Sequence, residues 1–438
     1  MTFPEQKTGI SRRTFVASVA AAPFVTGLAG ALGHAPVARA AETVQINLNI
    51  YQINDNWHTT LKKVLEGFSR ANPNIDVKPN IQPSDQYWDK LQTQYAAGQA
   101  PDVTLLNMDW VVPGAARDMF VDLKPLMNRD KVDPSAYWYP FDREWGWKDG
   151  IYGGLLYAGG QALYINKDLL SAAQLDFPSP DWTWDDLLTY SRKLTDPSKK
   201  QWGLHMADIN PPTGASTSFI HGAGGTVLND ARTKCTLTEP AARQGLQYVA
   251  DLILKEKVLR PPAAVQGQEN PFSAGKVGLL FGGTWDEVAI RSSGVIWDFA
   301  HMPVNKATGI RSVPRDSNAW SALSTTKHKE EAWSLIKYLI GPEAQAGLMT
   351  LGIPVIRSLA NSAEFENAHK PQDISVVVKD FTQFGHDIYP TPDAAQWWEV
   401  CNQELSVIWT GESSVEDATT RAAKSIDAIF AKRPPEWD

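Results

Sequence analysis

The sequence predicts an α/β protein built as two lobes, on three observations. Strand and helix patterns alternate from Val44 to Leu106, the alternation returns between Thr183 and Phe281, and 438 residues exceed what one hydrophobic core usually holds. A hydrophobic content of 43% with 21% charged residues fits a folded chain.

Val44, Ile46, Leu48 and Ile50 alternate with polar neighbours, a strand pattern that breaks into the polar loop Gln52 to Asn56. Trp57, Leu61, Val64, Leu65, Phe68 and Ala71 then recur at helical spacing until Asn72-Pro73, and Ile75-Asp76-Val77 opens a second strand. Ser84 is placed to cap a helix carrying Tyr87, Trp88, Leu91 and Tyr95, with Gly98 to end it and a buried strand at Asp102 to Leu106. Such alternation implies a mainly parallel sheet. Thr183 and Asp186 have capping-box spacing before a helix to Leu194, another helix spans Pro240 to Leu254, and Val277 to Phe281 is a short apolar strand. Ala332, Leu335, Ile336, Leu339 and Ile340 mark a further helix that stops at Gly341-Pro342.

The first 40 residues read as a targeting segment. Ser11-Arg12-Arg13-Thr14-Phe15-Val16 precedes an Ala/Gly-rich apolar stretch to Leu32 and the small-x-small site Ala38-Arg39-Ala40, the pattern of a twin-arginine export signal cleaved after Ala40. Its removal takes away Lys7, Arg12, Arg13, Arg39 and Glu5 and moves the net charge from −8 to −11, which makes nucleic acid a poor partner. No later apolar run has membrane-spanning length, so a soluble periplasmic protein is expected. Cys235 and Cys401 are the two cysteines, and spacing leaves a bridge between them open.

In open sheets, ligands collect where strand carboxyl ends expose loops and helix N-termini. The loops after Tyr51, Leu106 and Phe281 supply Asn54 and Asp55, then Asp109, then Thr284, Trp285 and Asp286. Amides, carboxylates and hydroxyls serve sugar hydroxyls, and indole stacks on the apolar ring face. Seventeen Trp fit either a large core or such a site.

Several segments, in order, resemble the carbohydrate-type family of extracellular solute-binding proteins of ATP-driven importers, which includes maltose- and glycerol-phosphate-binding proteins. They are Gly98-Gln99-Ala100-Pro101-Asp102-Val103, Tyr164-Ile165-Asn166-Lys167-Asp168-Leu169, Trp182-Thr183-Trp184-Asp185-Asp186-Leu187, Phe272-Ser273-Ala274-Gly275-Lys276, Gly283-Thr284-Trp285 and Gly352-Ile353-Pro354. The resemblance spans nearly the whole mature chain. It implies a two-lobe periplasmic-binding-protein clamp with a hinge of several chain crossings, near Gly160, near Pro303 and just after Pro342. One lobe would then hold residues 41–160 and 304–342, the other 161–303 and 343–438.

The same resemblance implies ligand contacts from Asn54, Asp55 and Trp57, from Asp109, from Gly283, Thr284 and Trp285, and from one of Trp397 and Trp398. Adjacent helical residues face different ways, and Trp398 is favoured. Asp55 or Asn56 equally reads as a helix cap. Asn318 and Trp320 stand where relatives carry small residues, so Trp320 either narrows the cleft or fills a core. Arg357 either meets an acidic ligand group or pairs with a surface carboxylate. The expected partners are a sugar, oligosaccharide or polyol and the permease subunits of an ABC importer, with the protein acting as a monomer without cofactor or metal. The competing reading is a secreted glycoside hydrolase using two carboxylates. Against catalysis, the sequence has no Gly-x-Ser-x-Gly elbow, no Gly-Lys-Ser/Thr loop and no His-Glu-x-x-His pair, and its eight His are dispersed.

Overall fold

The computed structural model describes residues 43–53, 55–138, 145–262, 270–386 and 388–437, so the segment predicted to direct export and Asn54 lie outside the described residues. Strand β1, Val44–Tyr51, buries Ile46, Leu48 and Ile50, as its alternation requires. Helix α1, Asp55–Ala71, lays Trp57, Leu61, Val64, Leu65 and Phe68 into the core. The chain returns as β2, Ile75–Gln82, parallel to β1 in the register Val44↔Ile75 through Tyr51↔Gln82.

Helix α2, Tyr87–Ala96, follows, but Ser84 does not cap it. The N-cap is Gln86 at φ 69° with no side-chain cap, and Ser84 contributes only its carbonyl, which accepts from the Tyr87 N–H at 3.2 Å. Gly98, at φ +67°, takes the left-handed conformation expected just beyond a helix end. β3, Val103–Asn107, then adds to the other edge of β1, again parallel.

The remaining strands are the β4–β5 hairpin (Gly146–Trp147 and Gly150–Ile151), β6 (Gly154–Asn166), β7 (Trp202–Met206), β8 (Val277–Gly283), β9 (Trp297–Ala300), β10 (Val313–Ala322) and β11 (Gly385–His386). The main sheet has the order β2-β1-β3-β10-β6-β8-β7, with β9 beside β6 and β11 beside β10. The sheet is mixed rather than mainly parallel. β1, β2 and β3 are mutually parallel, as are β7 and β8, but β10 runs antiparallel to β3 and β6, and β6 antiparallel to β8 and β9.

β6 changes partners at Gly160. Its residues before that point pair with β10, Arg315 facing Gly160, and from Gln161 onward it pairs with β8. Gly160 sits at φ +147°, and a Cβ there would stand 2.4 Å from the Pro314 carbonyl oxygen. Gly160→Ala is therefore expected to cost about 1–3 kcal/mol, read as a lowered urea midpoint with unchanged slope.

Val304 bridges Thr183 in parallel, and β10 begins nine residues further on at Val313. The helix Pro342–Leu348 packs on α1 and the helix Lys329–Leu339, and Ile353 pairs with Ala158. The helix Ser375–Phe384 packs on β9, β10 and β11.

In the second half the capping box forms as spelled: Thr183 N–H donates to Asp186 Oδ2 at 2.8 Å and Asp186 N–H to Thr183 Oγ1 at 3.3 Å, opening the helix Trp184–Leu194. The helix Pro240–Leu254 also matches its predicted span. The final helices, Ala394–Thr410 and Val415–Phe430, pack on each other and on Pro240–Leu254, and the first of them also meets the helix after β3, Met108–Ala115. Cys235 and Cys401 are both buried and unbridged. Among the described residues no helix is long and apolar enough to cross a membrane.

Candidate functional site

The partner change at Gly160 opens a cavity of about 320 Å³. Its wall comes from strand ends: Asn107 closing β3, Ala207 and Asp208 after β7, Phe281 to Gly283 closing β8, and Pro314 to Asp316 opening β10, with Trp398 above them. This is the switch-point position at which α/β sheets collect ligands. A larger cavity of about 780 Å³ lies beside Trp202 and Lys276, where β7 and β8 begin, at the opposite end of those strands. Position, not size, selects the smaller one.

Trp285 is 45% exposed in the turn after β8, its ring laid against Gly283, where a Cβ would approach it to 2.0 Å. The turn is fixed from within: Gly283 N–H donates to Asp286 Oδ2 at 2.9 Å, and its carbonyl accepts from the Tyr164 hydroxyl at 2.7 Å. Thr284 is buried beside it with no hydrogen-bond partner for Oγ1. Trp398 also lines the cavity and is half-buried, its indole N–H without a partner among the described residues, while Trp397 turns into the core and donates to Thr391 Oγ1 at 2.8 Å.

Asp208, Asp286 and Asp316 share the polar wall with Arg315, Asn107, Gln161 and Thr213. Burial, reinforced by the charge of Asp208, pushes the Asp316 carboxyl up to about 6. Burial and Asp316 together push Asp109 up to about 7. Asp208 and Asp286 are raised by burial as well. Both values for the Asp109–Asp316 pair stand above the ordinary carboxylate range of about 4, so the folded form holds protons that the unfolded chain releases first. These two groups contribute fully to stability below about pH 4 and lose that contribution as pH climbs to about 7. The thermal midpoint of Asp109→Asn relative to the parent is expected to rise progressively between pH 4 and 7.5; a difference that stays flat across that range would contradict it.

The structure brings Gly283, Trp285 and Trp398 together at the cavity, with Thr284 in the same turn and Asp109 coupled to the wall through Asp316. Other predicted residues go elsewhere. Trp57 is 2% exposed inside the core. Trp320 has no exposed surface, so the alternative of filling the core holds and the cleft placement is corrected: β10 carries it past the cavity to pair with Leu105 and Gly154. Asn318 is held between two tyrosines, accepting from Tyr51 at 2.5 Å and donating to Tyr157 at 3.1 Å. Arg357 donates to the carbonyls of Tyr137 at 2.7 Å and Trp138 at 3.4 Å, beside a separate small cavity. Asp55 is exposed in the first turn of α1, where its charge suits the helix N-terminus. Sequence reasoning missed Gln161, Asp208 and Asp316. No local signal marked Asp316, because its place at the cavity comes from the pairing of β10 with β6.

Comparison with known proteins agrees with this architecture. A putative binding protein of Brucella abortus is 21% identical over 425 residues, 93% of this chain and 98% of the relative. An ABC substrate-binding protein of Listeria monocytogenes in complex with cycloalternan superposes with a TM-score of 0.82 at 22% identity, covering 90% of this chain and 100% of the other. A maltose-bound T. maritima MalE3 follows at 0.76 and 20% identity, with 88% and 100% coverage. These likenesses carry the fold, a two-lobe binding protein of mixed α/β type. The family pattern itself matches residues 54–346, and the chain belongs to the bacterial extracellular solute-binding proteins.

Proposed function

We propose that this protein is the extracytoplasmic receptor of an ATP-driven importer, taking a carbohydrate or polyol into the cavity at Gly160 and presenting it to the permease. One observation carries the reading: two indoles, Trp285 and Trp398, stand over a polar wall of carboxylates at a sheet switch point. Ring faces of a sugar suit the indoles, and its hydroxyls suit Asp208, Asp286 and Asp316. A relative supports the importer assignment: a putative ABC transporter periplasmic-binding protein of Escherichia coli is 27% identical over 220 residues, 48% of this chain and 49% of the relative. The twin-arginine segment supports export, and the protein acts as a monomer that returns its ligand unchanged.

β6 and β10 are the hinge. Ligand contacts from both sides of Gly160 favour the closed arrangement and shift the population toward it. The test is a thermal-shift and tryptophan-fluorescence screen of the mature protein against sugars, oligosaccharides and polyols, with each hit recovered and checked for conversion. A stabilising hit recovered intact is the expected result; a hit consumed by the protein would establish the hydrolase, and a flat screen would remove the carbohydrate assignment.

A further inference from the structure

The wall of the cavity holds three carboxylates against one guanidinium, more acid than a neutral sugar requires. Asp208, Asp286 and Asp316 all line it, and the charge of Asp316 is felt at Asp109. Their internal bonds are few. Asp316 accepts from the Ser317 N–H at 2.7 Å, Asp286 from Gly283, and Asp208 from the Thr213 hydroxyl at 3.1 Å and the Asn210 N–H at 3.3 Å. Oδ1 of Asp109 is shielded from solvent and has no partner.

A second feature points the same way without involving a carboxylate. Gln161 is 7% exposed and lines the cavity. Its Nε2 donates to the Thr213 carbonyl at 2.9 Å, which fixes the amide orientation and leaves Oε1 as a buried acceptor that no donor among the described residues meets. An unmet buried acceptor is costly, so a ligand donor is wanted there.

Arg315 lines the same cavity; its stem runs along Gly385, and its charge opposes protonation of His386. The charge felt by Asp316 is that of Asp208, a like charge.

We propose that the ligand carries a protonated amine, as an amino sugar or aminated polyol, whose N–H groups meet the Gln161 amide oxygen and the carboxylates of Asp208, Asp286 and Asp316. A cation there relieves the like-charge repulsion along the wall and favours the ionised carboxylates that burial otherwise opposes. Trp285 and Trp398 add cation–π attraction to ring stacking. This inference rests on the carbohydrate reading above.

The experiment is calorimetric titration of the mature protein at pH 7.5 with matched pairs: glucosamine against glucose, galactosamine against galactose, and the glucosamine disaccharide against cellobiose. One amino member is expected to bind at least about tenfold tighter than its neutral partner, the scale of one charge-assisted hydrogen bond. Asp316→Asn and Gln161→Leu should each shrink that ratio, and circular dichroism and thermal midpoints will show that both variants are folded. Neutral members binding as tightly as their amino partners would overturn this inference and leave the solute-binding assignment standing. Absence of binding by every member of the panel would remove both.

Discussion

Arg433→Met is expected to destabilise the protein by about 3–5 kcal/mol, the cost of leaving a buried charge without its partner. Arg433 and Asp393 are only 5% and 3% exposed. The guanidinium grips the carboxylate with two bonds, Nε to Oδ2 at 2.7 Å and a terminal nitrogen to Oδ1 at 2.8 Å. Its remaining terminal nitrogen donates to the Arg232 carbonyl at 2.7 Å, and the Phe430 ring lies 3.8 Å from the guanidinium carbon. Asp393 also accepts from Thr391, which in turn accepts from the Trp397 indole, so the pair anchors the start of the helix that carries Trp398. Urea unfolding measures the loss. Arg433→Met combined with Asp393→Leu should lose less than the sum of the singles, because the stranded carboxylate is gone. A single-variant loss under about 1 kcal/mol would place the pair with exposed ion pairs instead.

Trp320→Ala is expected to cost about 3–5 kcal/mol through the cavity it leaves, with ligand affinity of the folded fraction unchanged. Trp285→Ala should do the reverse. Its ring is 45% exposed at the cavity, so stability should stay within about 0.5 kcal/mol while affinity falls by about 10- to 100-fold. The two indoles share a chemistry and differ only in what surrounds them, so the crossed outcome separates core from binding surface. Trp320→Phe should cost less than Trp320→Ala, and its loss is tempered because the Trp320 indole N–H has no acceptor. Equal affinity losses in both alanine variants would return Trp320 to the cleft. Chemical denaturation and calorimetry with a screened ligand supply the two readouts.

The local elements were legible because local chemistry determines them. The capping pair Thr183 and Asp186, the alternation of Val44–Tyr51 and the span Pro240–Leu254 all follow from neighbours a few residues away. Ser84 misled because a polar residue ahead of a helical pattern does not show which residue takes the cap dihedrals, and Gln86 takes them in the left-handed region. The site was legible only where one segment contains it, as in Gly283 to Asp286. Gln161 and Asp316 acquire their positions through the pairing of β6 with β10 and β8, a long-range event with no signature in either segment alone. Trp320 looked like Trp285 for the same reason: an indole's burial is set by partners distant in sequence.

The insertion of β10 between β3 and β6 also governs how the chain is made. While the polypeptide emerges from its N-terminus, β3 presents an unpaired apolar margin, and the strand that covers it arrives more than two hundred residues later. Such a margin is a template for pairing with other nascent chains, and a closing contact of that separation forms late. The newborn protein is therefore expected to depend on a holding chaperone until Ala322 has cleared the ribosome, and a circular permutant that begins at β10 should shed that dependence.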